Sequence, residues 1–122
     1  PNRRIFYSGD GGYGPHIKQI GELLQGVDLA IMENGQYDKN WPYIHMMPEE
    51  VALAAEELNA KALLPGHSGK FSIANHAWDD PFIRIIAASQ GRNYRLLTPV
   101  IGEPVDLGNS QQAYSRWWES VR

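Results

Sequence analysis

Arg4-Ile5-Phe6-Tyr7-Ser8-Gly9-Asp10-Gly11-Gly12-Tyr13-Gly14-Pro15 is the stretch that decides the fold. Ile5, Phe6 and Tyr7 read as a short buried strand, and a glycine run too dense to continue a sheet stops it near Ser8. Pro15, with φ already suited to a first helical turn, opens a helix in which Ile17, Ile20, Leu23 and Leu24 recur at helical spacing until Gly26. The rest of the chain repeats this strand, turn and helix. Residues 27–32 read as a second strand and 33–40 as a polar loop. Pro48-Glu49-Glu50 places proline and acids in the first turn of a second helix, where the dipole favours them, with Val51, Ala54, Ala55 and Leu58 on its inner face. A third strand at 62–64 closes at Pro65-Gly66-His67. Asp79, Asp80 and Pro81 start a third helix with a predicted buried stripe of Phe82, Ile83, Ile86 and Ala87, ended by Gly91. After an extended piece at 94–97, Pro99, Gly102 and Pro104 permit only short extended segments, and 113–121 reads as a last helix. Alternating strands and helices imply the α/β class, right-handed crossovers and a mainly parallel sheet.

Composition narrows the function classes. The 122 residues are 43% hydrophobic and 20% charged, with 11 basic against 14 acidic side chains, which suits one globular domain. At this length folding removes roughly two-thirds of the unfolded chain's surface from water. Cysteine is absent, so disulfide frameworks, thiolate metal sites and thiol catalysis are excluded, and a reducing, cytoplasmic setting is the expectation. Slight acidity with scattered Lys and Arg argues against a nucleic-acid partner. No apolar run approaches the ~20 residues of a transmembrane helix.

In an open α/β sheet, ligands bind at the edge where parallel strands end. Strand one ends at Asp10, strand two at Glu33-Asn34 and strand three at His67, so an acid and an imidazole converge on one edge. Both suit a hard or borderline divalent metal; the alternative is a turn-forming aspartate beside a loop histidine. Gly9, Gly11 and Gly14 also spell G-x-G-x-x-G between a strand and a helix, with Glu33 where a ribose-binding acid would stand, so a nucleotide site is a second possibility. Against it, Asp10 would sit beside a pyrophosphate that needs N–H donors.

Four ordered blocks, Tyr7-Ser8-Gly9-Asp10-Gly11-Gly12-Tyr13, Glu33-Asn34-Gly35-Gln36-Tyr37, Ile44-His45-Met46-Met47-Pro48-Glu49-Glu50 and Leu64-Pro65-Gly66-His67-Ser68-Gly69-Lys70-Phe71, resemble the C-terminal half of metallo-β-lactamase-fold hydrolases. The branch they resemble holds N-acylphosphatidylethanolamine phospholipase D and ascorbate-phosphate lactonase. The resemblance covers residues 1 to about 90. It implies the C-terminal half of a four-layer αβ/βα sandwich and a site for two divalent ions, usually zinc, with manganese or iron as alternatives. It makes Asp10 the carboxylate bridging the metals and His67 a ligand of the second. His45 becomes a catalytic and substrate-binding histidine of the cleft, with His76 and Tyr13 also facing substrate. Tyr37, Trp41, Tyr43 and Trp78 are further candidates for an apolar pocket wall. Metal-activated hydroxide would then attack an ester, lactone or phosphodiester in a small-molecule or lipid-like substrate.

One departure qualifies that expectation. The family's H-x-H-x-D-H cluster lies upstream of the matched blocks, whereas the four histidines here are His16, His45, His67 and His76. His16, at a helix start, reads as a surface or capping residue. Asp10 and His67 fall short of the three or so protein ligands of a catalytic zinc, so this segment alone is expected to be inactive and metal-poor. The partner it needs is the N-terminal half of the same protein, cut away before Pro1 from a domain of roughly 200–250 residues. A non-catalytic half that pairs with a partner chain, or with itself as a homo-oligomer, is the remaining alternative.

Overall fold

The computed structural model describes residues 2–121; the boundary expected at Pro1 lies outside them. Strands β1 (Ile5–Tyr7), β2 (Leu29–Glu33), β3 (Ala62–Gly66) and β4 (Arg95–Leu96) alternate with helices α1 (His16–Leu24), α2 (Pro48–Glu57) and α3 (Asp80–Ser89). The strands form one sheet in the order β1-β2-β3-β4, every pair parallel. The α/β class and the parallel sheet expected from the sequence are therefore present.

Register sorts the side chains into two faces, because successive residues of a strand point to opposite sides. Phe6 pairs with Ala30, Ala30 with Leu63 and Leu63 with Leu96. This row lies under Ile17 of α1, Val51, Ala54 and Ala55 of α2 and Ile85 of α3, so all three helices cover one face. The other face carries Leu29, Ile31, Ala62 and Leu64, packed by Leu97, Val105, Leu107 and Tyr114 from the C-terminal segment. Its β1 edge is bare: Ile5 is 58% and Tyr7 72% exposed.

Local chemistry explains the helices. α2 begins on Pro48, and the Glu50 carboxylate turns back to accept the Met47 N–H at 2.8 Å, satisfying a donor the helix leaves unpaired. Ala52, Ala54 and Ala55 are fully buried; their small size and high helix propensity let α2 lie close to the sheet. α1 ends where Gln25 and Gly26 both take left-handed φ, at 55° and 89°. Gly21 of α1 is buried against the Glu57 carbonyl and Leu58, 2.8 Å from the Leu58 Cα to where a Cβ would stand.

Four expectations are corrected. β1 is an edge strand and not a buried one: Phe6 alone is half-buried, on the helix side, while Ile5 and Tyr7 are exposed on the outer face. The inward residues of α3 are Pro81, Phe82 and Ile85, while Ile83 and Ala87 are exposed and Ile86 is half-buried. Phe82 lies against Trp118, with ring centroids 4.7 Å apart, and Arg84 is held outside by Glu49 at 2.9 Å; together these contacts set the helix rotation. Leu23 of α1 is 82% exposed. The helix expected at 113–121 is only a 3₁₀ turn at Trp117–Val121, because Trp117 and Trp118 both pack on Phe82 and that burial overrides propensity.

Gly21→Ala is expected to lower stability by about 1–3 kcal/mol through overpacking of the α1–α2 crossing, read by urea denaturation. Arg84 holds the Glu49 carboxyl below its ordinary value. This pair therefore stabilises the fold above the unfolded glutamate pKa of about 4.3, and the contribution fades as pH falls through the lower folded value. Glu49→Gln should be less stable than the parent by under about 1 kcal/mol at neutral pH, the gap closing on acidification.

Candidate metal centre at the carboxyl edge of the sheet

Three loops leaving the carboxyl ends of β1, β2 and β3 meet at one edge. The end of β1 is tied to β2: Ser8 N–H donates to the Ile31 carbonyl at 3.0 Å, and Ser8 Oγ accepts the Glu33 N–H at 2.9 Å. Gly9, with φ 58°, then turns the chain and delivers Asp10, whose side chain is 75% exposed. Gly12 N–H donates to the Tyr43 carbonyl at 3.2 Å, and a Cβ on Gly12 would lie 2.5 Å from that carbonyl. This close approach clamps the Asp10 loop to the segment that carries His45.

Asp10, His45 and His67 form a cluster whose ligand atoms all lie within 4.8 Å of one another. His67 Nε2 is 3.6 Å from Asp10 Oδ1, and the His45 and His67 rings stack with centroids 5.5 Å apart. The Asp10 carboxylate and the His67 imidazole are donors suited to zinc, manganese or iron, and the His45 imidazole stands beside them. The donor set fits a divalent cation.

Glu33, the last residue of β2 and in sequence a candidate ribose-binding acid, instead bonds to the His45 segment, a contact the sequence does not reveal. Its side chain is 2% exposed and its carboxylate accepts hydrogen bonds from Met46 N–H and from His45 Nδ1, the latter at 3.2 Å. Burial pushes the Glu33 carboxyl up, while Met46 and His45 pull it back. With Glu33 as a carboxylate acceptor, this bond sets a proton on His45 Nδ1. Glu33 is thus enclosed, not poised for a ribose. The Gly11 and Gly12 amides are spent on the Ser8 and Tyr43 carbonyls, so the glycine loop has fewer donors to offer a phosphate.

The other candidates lie elsewhere. Tyr13 donates its hydroxyl to Glu57 of α2, 2.9 Å from both oxygens, and packs on the helix-side core; it is a helix-bracing residue, corrected from the cleft position expected. His76 stacks on Tyr37 at 4.2 Å and donates Nδ1–H to the Ala77 carbonyl, outside the three-residue cluster. His16 is the exposed first residue of α1, as expected. Of the aromatic wall, Tyr37 is buried and donates to Asp80, Trp41 donates Nε1–H to the Gln36 carbonyl at 2.7 Å, Trp78 packs on Trp117 and Tyr43 is exposed. Beside the cluster lie a cavity of about 60 Å³ lined by Tyr7, Gly9, Asp10, Ile31, Glu33 and His67 and one of about 220 Å³ lined by Gln36, His67, Ser68, Lys70, Phe71 and Ile73.

Residues 1–68 match the beta-lactamase superfamily domain. The chain belongs to the metallo-β-lactamase-fold hydrolase superfamily. It is 64% identical over 70 residues to outer membrane protein RomA of Klebsiella pneumoniae, an alignment spanning 57% of this chain and 53% of that protein. An uncharacterized protein of Mycobacterium bovis is 34% identical over 121 residues, 97% of this chain and 32% of the relative. A UPF0173 metal-dependent hydrolase of Bacillus licheniformis is 38% identical over 81 residues, 64% of this chain and 32% of the relative. The chain thus spans from a third to a half of these relatives. Among the described residues no helix is long and apolar enough to cross a membrane.

Glu33→Gln tests the Glu33–His45 pair. The amide would turn its NH₂ toward His45 Nδ1, making that nitrogen an acceptor and moving the ring proton to Nε2. Nitrogen NMR of metal-free protein should report the exchanged tautomer; an unchanged His45 tautomer would break the assignment.

Proposed function

We propose that this chain supplies one flank of the catalytic centre of a metal-dependent hydrolase, and that the other flank comes from an N-terminal half of the same protein. The observation that carries the proposal is the convergence of Asp10, His45 and His67 on one strand-end edge, with Glu33 fixing His45 from behind. In this reading Asp10 and His67 would hold divalent metal, the remaining donors coming from the N-terminal half. Zinc is the preferred metal, manganese and iron being compatible. The bare β1 edge of the outer face, at Ile5 and Tyr7, is where that half would pack; as a parallel sheet, this one needs cover on both faces.

A divalent cation bound here supplies Lewis-acid polarisation of an ester or phosphoryl oxygen and acidifies water. The chain's own residues do the rest. Asp10 orients the reacting groups through its exposed carboxylate. His45, its Nδ1 proton held by Glu33, presents Nε2 to take a proton as general base and return it to the leaving group. The substrate class proposed is a small or lipid-like ester, lactone or phosphodiester, handled in the cytoplasm.

In the full-length protein Asp10→Ala and His67→Ala are expected to lower bound metal and hydrolysis together, whereas His45→Ala should keep its metal and lose at least about a hundredfold in turnover, the contribution of a general base. Metal analysis beside kinetics separates the roles. Wild-type metal content in both Asp10→Ala and His67→Ala would remove the proposal, and metal loss in His45→Ala would make His45 a third ligand.

A further inference from the structure

We infer that Gln36 is the positioning residue of the centre, fixing the backbone of the His67 loop with its side chain and the His45 segment with its main chain; this rests on the metal-centre reading above. His67 has φ 60°, a left-handed conformation that costs a non-glycine residue about 1 kcal/mol or more. It therefore needs an external hold. The sheet does not provide one, since the last register pair of β3 is Gly66 with Glu33.

Gln36 does. It is 4% exposed, three residues beyond the end of β2, and its amide is fully occupied by the loop that follows β3. Nε2 donates to the His67 carbonyl at 3.2 Å and to the Phe71 carbonyl at 3.0 Å, and Oε1 accepts the Ile73 N–H at 2.8 Å. These three hydrogen bonds, all from one side chain, span the backbone from His67 to Ile73. Gly35 presses on the same carbonyl, where any Cβ would collide with His67. On the far side Phe82 and Trp117 each stand 3.3 Å from the position of a Cβ on Gly69, so the loop is gripped from both faces.

The Gln36 main-chain carbonyl meanwhile accepts Trp41 Nε1–H at 2.7 Å, anchoring the segment that runs on to His45. One buried residue thus connects the two loops whose imidazoles stack at 5.5 Å. The side-chain half of this arrangement can be removed alone, because mutation leaves the main-chain carbonyl in place.

Gln36→Met, which keeps volume and loses the amide, and Gln36→Asn, which keeps the amide on a shorter arm, test the role in the full-length protein. Hydrogen exchange of the metal-free protein should show the Ile73 amide opening in both variants while core amides of β2 and α2 stay protected. Zinc affinity, measured by chelator competition, should fall about 10- to 100-fold, as for other groups that orient a ligand from behind. His67→Ala is the control. Zinc loss in His67→Ala with wild-type affinity in a folded Gln36 variant would overturn the positioning role. Unchanged zinc binding in His67→Ala would instead overturn the metal reading, and with it the positioning of a metal ligand. Retained protection of Ile73 would overturn the clamp in either case.

Discussion

A carboxylate buried at the end of a central strand must find partners inside the protein, and the partners of Glu33 are the Met46 amide and the His45 ring. The same constraint governs the residues that follow. Asn34 Nδ2 donates to the Pro81 carbonyl although its Oδ1 is left without a hydrogen-bond partner among the described residues, Gln36 donates to the His67 and Phe71 carbonyls and Tyr37 to Asp80, while Asp38 accepts from Asn40 and Asn75. A buried polar group deprived of its partner costs about 1–3 kcal/mol. Moving any loop at this edge would therefore strand several such groups at once, and the loops are held in one arrangement.

This polar run stands on a rigid base. The helix face of the sheet is packed with small residues from α2 and large ones from α1 and α3, and short-range parallel pairing aligns the three strand ends that launch the site loops. Functional side chains on loops gain precision when the elements beneath them are fixed. The outer face differs: its β2–β4 side is covered by the C-terminal segment, and its β1 side exposes Ile5 and Tyr7. Order is thus concentrated at the site and under the helices.

Much of this was legible in the sequence. The three βα units followed from apolar runs broken by glycine and proline, and Asp10 and His67 stood out because each closes a strand. The ordered motif blocks pointed to the superfamily and to His45. Residues 33–38 were not legible, since Glu, Asn, Gln and Asp in series read as a solvated loop, and only tertiary contacts turn them into a buried strut. The rotation of α3 and the 3₁₀ turn at Trp117–Val121 depend likewise on the Phe82, Trp117 and Trp118 cluster, which joins residues 35 positions apart. Tyr13 followed the motif in sequence, yet its hydroxyl is committed to Glu57.

The central claim is that Asp10 and His67 jointly hold a divalent cation, with His45 at its side. Anomalous diffraction at the zinc edge, from crystals of the protein grown with zinc, tests it most directly. The account predicts a peak about 2.0–2.2 Å from an Asp10 carboxylate oxygen and a His67 ring nitrogen. Zinc bound elsewhere, with Asp10 and His67 free of metal, would contradict it.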